Sequence, residues 1–164
     1  MAYLTWLAES VRLKLQAKAI GQPVALRAHF ELSGDHGLLT PTTATGVSLA
    51  VGWFKSNELS LYAQGGPSQG YVNVLARFDG GQTALLGAAL TQTGDMARPP
   101  SVMLLLVGNL GTMRFEDEPG RFEDEPGGDT LDAGLAPMRG EQQGPIEAAI
   151  AQSLRLGEPV RLTI

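Results

Sequence analysis

The chain has no cysteine. That removes disulfides, thiolate nucleophiles and thiolate metal sites, and it leaves the redox compartment open. No apolar run approaches the roughly 20 residues that a spanning helix needs. The N-terminus lacks the basic, apolar and small-residue order of a signal peptide. A cytoplasmic protein without membrane contact is the expectation. No basic stripe is present, and the net charge is −5, so a nucleic-acid partner is excluded as well.

What is present suits a folded domain. A hydrophobic fraction of 43% beside 18% charged residues is that of a soluble globular protein. The 164 residues are one domain's worth, enough to bury a core.

The order of elements follows from spacing. Met1 to Ile20 is predicted helical, because Leu4, Leu7, Val11, Leu15 and Lys18 recur at spacings of three and four. Gly21 and Pro23 stop it. Trp6, near its start, belongs to the core rather than to a ligand stack. Pro23 to Leu32 is a strand, with Val24, Leu26, Ala28 and Phe30 on one face and Arg27, His29 and Glu31 on the other. Thr40 to Thr45 caps a helix from about Gly46 to Lys55, an intrinsically poor one. Glu58 to Ala63 is a short strand, and residues 64–70 form a glycine-rich turn.

Tyr71 to Asp117 is the organising stretch. Val72, Val74, Ala76 and Phe78 alternate with Asn73, Leu75 and Arg77 before Asp79-Gly80-Gly81. Asp-Gly between alternating segments marks a hairpin whose two central residues would both take positive φ. Thr83 to Thr91 returns. Ser101 to Val107 is nearly all apolar, like a strand buried on both faces. Gly108 to Gly111 turns the chain into Thr112 to Glu116. Four strands joined in sequence make an antiparallel meander the default.

Residues 114–127 repeat RFEDEPG in tandem, with six carboxylates and two arginines. Seven is odd, so a slip by one copy would swap every side chain to the other sheet face. One copy is therefore expected to continue the strand and the other to loop out at Pro119-Gly120. Residues 130–143 are glycine-rich and irregular. Pro145 opens a last helix with Ile146, Ala149, Ile150 and Leu154 as its apolar face. Val160 to Ile164 closes the chain as a strand.

The order of a strand ending in FDGG, a returning strand, and Val107-Gly108-Asn109-Leu110-Gly111-Thr112 two strands later resembles the C-terminal domain of the glucose–fructose oxidoreductase / inositol dehydrogenase (Gfo/Idh/MocA) family. Residues 19–30, AIGQPVALRAHF, and residues 146–162 are similar to that family's entry into the sheet and to its last helix and closing strand. The resemblance touches about two-thirds of the chain. It implies an α+β fold like the C-terminal domain of glyceraldehyde-3-phosphate dehydrogenase. That is a single largely antiparallel sheet with helices on one face, the other face being where subunits commonly meet.

The resemblance carries no catalytic group across. Family members hold NAD(P) in a Rossmann domain, whose G-x-G-x-x-G turn does not occur in this sequence. The nearest cluster, residues 65–70 (GGPSQG), has a proline that deletes an amide donor. The family's lysine has no counterpart, and the segment matching its Asp and His, Thr42 to Trp53, contains neither. No cofactor and no catalytic residue are assigned.

His29, Arg27 and Glu31 form a polar row, read as an interface or a solvated face. Asp35-His36 in a glycine loop lacks a third group. The acidic duplication lacks the ligand pattern of an EF-hand, so no metal is assigned. Leu75, Arg77, Leu85, Gly87, Ala89, Met103 and Leu105 make both strand parities apolar, and a half-buried sheet would be polar outside.

The expected protein is a non-catalytic assembly module that forms a homodimer through its sheet. Arg27, His29, Glu31, Arg77 and Met103 are its candidate ligand or interface residues. The alternatives are the substrate half of a split oxidoreductase, with a separate Rossmann subunit and a sugar-like substrate, and a small independent enzyme using His29 or His36.

Overall fold

The computed structural model describes residues 3–91, 100–117 and 140–164. Among the described residues, one seven-stranded sheet carries three helices on a single face. The helices are α1 (Tyr3–Gln16), α2 (Leu39–Phe54) and α3 (Gln143–Leu156). The strands are β1 (Pro23–Leu32), β2 (Glu58–Gly66), β3 (Tyr71–Phe78), β4 (Thr83–Leu90), β5 (Ser101–Gly108), β6 (Gly111–Asp117) and β7 (Val160–Thr163). Their order across the sheet is β6-β5-β1-β4-β3-β2-β7.

The sheet is mixed, and the expected meander is interrupted. β1 lies between β4 and β5, parallel to β4 and antiparallel to β5. The other neighbouring pairs are antiparallel. Short-range turn logic fails at this point because residues 91–100 are long enough to step over one strand. β5 is apolar at both parities and offers its two edges to β1 and β6.

The β3–β4 hairpin forms as expected, with a different turn. The Phe78 N–H donates to Gln82 O and the Gly81 N–H to Phe78 O, both at 2.9 Å. Only Gly81 of the three loop residues takes positive φ, at +84°. This is a three-residue loop with a glycine bulge rather than a two-residue mirror-image turn. The Asp79 carboxylate accepts the Gly80 N–H at 2.9 Å.

The alternation of β3 is complete. Val72, Val74, Ala76 and Phe78 are buried, and Tyr71, Asn73, Leu75 and Arg77 are exposed. In β1 the buried set is Leu26, Ala28, Phe30 and Leu32. Val24, expected to share their face, is 43% exposed, because the pairing with β5 slips between Pro23 and Ala25.

Helix α2 begins at Leu39, about seven residues before the expected start. Its Thr and Gly residues have weak propensity, but burial overrides propensity. Thr42, Thr43, Ala44, Thr45, Val47 and Ala50 are all buried. The Thr43 and Thr45 hydroxyls donate to the Leu39 and Pro41 carbonyls at 2.8 and 3.0 Å. Gly46 lets the helix come close to the sheet: a Cβ there would sit 3.2 Å from Phe30 and 3.3 Å from Leu86.

Helix α1 ends at Gln16, four residues before expected, and Lys18 takes φ +55°. Trp6 is partly buried against the core. β2 extends to Gly66, past the expected Ala63. The first RFEDEPG copy does continue β6 through Asp117. Residues 118–139, which hold the second copy, lie outside the described residues.

Candidate functional site

The sheet face on which no helix packs among the described residues brings the expected residues together. Arg27, His29 and Glu31 point outward from β1, Arg77 from β3 and Met103 from β5. Strand register arranges them in transverse rows. Met103, His29, Gly87 and Asn73 are successive partners across β5, β1, β4 and β3. Leu105, Arg27, Leu85, Leu75 and Tyr62 form the next row. Ser101, Glu31, Ala89 and Tyr71 form a third.

The centre of this face is Gly87, covered by the side chains of its strand neighbours. β4 is the middle strand of seven, and Gly87 supplies no side chain there. His29 and Asn73 lean over it from the two neighbouring strands. A Cβ on Gly87 would lie 2.5 Å from Asn73 Oδ1 and 3.1 Å from His29 Nδ1. Beside Gly87, Leu85 is 46% and Leu75 38% exposed. Glu31 accepts a hydrogen bond from Ser101 Oγ at 2.9 Å. Arg27 and Arg77 have no ion pair among the described residues. Among the described residues, this face combines exposed leucines, arginines without an ion pair and a polar centre.

The two histidines do not meet. His36 sits in the 3₁₀ turn His36–Leu38 before α2, and its Nδ1 contacts the Pro67 carbonyl. The neighbouring Asp35 carboxylate accepts the Gly37 N–H at 2.7 Å, so it caps the turn. Among the described residues, no three of His, Cys, Asp and Glu cluster as a metal site would require. Residues 65–70 close the β2–β3 hairpin through the 3₁₀ turn Pro67–Gln69 and lead into a strand, not a helix. The segment Thr42 to Trp53 lies within α2. There the Thr42 hydroxyl is fully buried with no hydrogen-bond partner among the described residues.

Sequence reasoning missed Asn73 and the central place of Gly87. The signal was the register: Gly87 becomes notable only once β1 and β3 are known to flank β4.

No family model matches the sequence, and no curated protein matches it. Comparison of folds does find relatives. The chain is similar to scyllo-inositol dehydrogenase from Lactobacillus casei, whose structure holds NAD(H) and scyllo-inositol, with a TM-score of 0.66 and 12% identity over 97% of this chain and 63% of that one. It is similar to myo-inositol 2-dehydrogenase from Lactobacillus plantarum, with a TM-score of 0.67 and 13% identity over 95% and 61%. A myo-inositol dehydrogenase from Corynebacterium glutamicum gives 0.65 and 10% over 96% and 61%. At such identities the likeness is one of fold. The chain has the fold of the C-terminal domain of the Gfo/Idh/MocA dehydrogenases, and it spans about three-fifths of the length of those relatives. No helix among the described residues is long and apolar enough to cross a membrane.

Proposed function

We propose that this domain is a non-catalytic assembly module, related in fold to the C-terminal domain of NAD-dependent inositol dehydrogenases, that pairs with a second copy through its open sheet face. The observation that carries this reading is the exposure of Leu75, Leu85 and Tyr71 on one continuous face, where a solvated sheet would be polar. Strands about 4.8 Å apart, each showing about four outward residues, make a face on the order of 800 Å², close to the share of each partner in a standard interface. Two-fold pairing covers the same patch on both subunits.

A second reading has its own support. About two-fifths of each relative's length lies outside the part this chain spans, and one of them is described with NAD(H). A separate nucleotide-binding subunit acting with this domain on a sugar-like substrate fits that difference.

Two measurements test the readings. Calorimetric titration of this chain alone with NAD(H) should give no dissociation constant below about 100 µM, since the glycine turn is absent from its sequence. Tighter binding would contradict the non-catalytic reading. Arg77→Glu should weaken self-association in sedimentation without lowering the melting temperature, because Arg77 is exposed on the open face. Unchanged association would count against pairing there.

A further inference from the structure

A cleft of about 1120 Å³ opens at one end of the domain, between the C-terminal ends of α1 and α2 and the β3–β4 and β5–β6 turns. It is built from chain segments locked to one another. The Gln22 N–H donates to Asn109 Oδ1 at 2.9 Å, the Asn109 N–H to Gln22 O at 3.0 Å, and the Leu110 N–H to Ile20 O at 3.0 Å.

Three properties of its lining coincide. Among the described residues, Arg12, Lys18 and Lys55 line it and no acidic residue does, in a chain whose net charge is −5. Lys18 and Lys55 are the two non-glycine residues with positive φ among the described residues, both at +55°. Val24 and Leu110 are 43% and 78% exposed, and Trp53, in the last turn of α2, shares the lining with only its edge open to it.

The lysines are not needed to cap their helices. Backbone amides already do so: the Ala17, Ala19 and Lys18 N–H groups reach the Leu13, Lys14 and Leu15 carbonyls at 3.0 to 3.1 Å. Lys55 and Ser56 do the same for Val51. Glycine fills such left-handed positions without strain. Lysine is strained there and brings a charge, and strained positions gather at functional sites. Arg12 is already paired with Glu9, with its Nε 2.6 Å from a carboxylate oxygen. That leaves Lys18 and Lys55 as the cations available to a guest.

We infer that this cleft binds an amphipathic organic anion, with a carboxylate or phosphate head at Lys18 and Lys55 and an apolar body against Val24, Leu110 and Trp53. The cleft is open and slightly larger than the roughly 300–1,000 Å³ of typical small-ligand pockets, which leaves room for a head group and an apolar body. The site lies at the strand ends, apart from the open face, so it does not depend on pairing.

The test uses decanoate as probe on the full chain carrying Trp6→Phe, which leaves Trp53 as its one tryptophan. Decanoate should shift Trp53 emission and bind below about 1 mM. Decylammonium, with the same body and opposite charge, and inorganic phosphate, with no body, should each bind at least tenfold more weakly. Lys18→Gln with Lys55→Gln should weaken decanoate at least tenfold, and arginine at both positions should restore it. Lys55→Gly should raise the melting temperature while weakening decanoate, a combination that a purely structural lysine would not produce. The inference is overturned if decanoate does not bind, if decylammonium binds equally well, if phosphate alone binds as tightly, or if the glutamine pair binds undiminished.

Discussion

Leu85 and Leu86 are neighbours in β4, and they live in different solvents. Leu86 is fully buried under α2, and Leu85 is 46% exposed on the opposite face. The same contrast runs through the sheet, with Ala76 against Leu75, Leu104 against Leu105, and Phe30 against His29. The covered face is apolar because three helices pack on it. The open face is half apolar with nothing of its own chain described upon it. A strand apolar at both parities therefore records two burial events: one completed by folding, and one that our reading assigns to association.

The largest effect should come from the covered face. Leu86→Ala should cost about 3 kcal/mol in denaturant unfolding, through lost burial and a residual cavity. Leu85→Ala, measured at a dilution where association is negligible, should cost under about 0.5 kcal/mol, as exposed substitutions do. Comparable losses at both positions would break the contrast.

Charge on the open face comes next. Leu85→Glu should leave the dilute monomer folded and weaken self-association at least tenfold, about 1.4 kcal/mol. It does so by placing a carboxylate where a partner's apolar surface would lie. Loss of secondary structure by circular dichroism would mean that Leu85 belongs to the core after all.

The smallest effect sharpens the same inward–outward distinction on α2. Gly52 faces open space, so Gly52→Ala should stabilise by about 0.8 kcal/mol through helix propensity. Gly46→Ala should gain less, because its methyl meets Phe30 and Leu86 at 3.2 and 3.3 Å and they must give way. Thermal melts of the two variants decide it, and equal gains would mean that the α2–sheet contact is looser than drawn.

Local signals in the sequence reach as far as the hairpins and no further. The alternation of residues 72–78 fixes the faces of β3, and Asp79-Gly80-Gly81 fixes its turn position. Pro145 and Gly157 bracket α3 correctly within a few residues. The start of α2 is hidden because Thr42, Thr43 and Thr45 speak against helix locally, and only burial under the whole fold explains them. The place of β1 is hidden for a different reason: strand order is a long-range property, and β5 carries no polar parity to declare its neighbours. The candidate face was legible as a set of outward residues, with Arg27, His29, Glu31, Arg77 and Met103 all upon it. Its centre at Gly87, between His29 and Asn73, needed the register of three strands at once.

The most direct test is sedimentation equilibrium of the unaltered chain across the low micromolar range. The account predicts a mass of two copies of 17.3 kDa that falls toward one on dilution. It also predicts that Leu85→Glu moves that fall to higher concentration. A single-copy mass throughout the micromolar range would contradict the claim that the open face exists to be covered by a second copy.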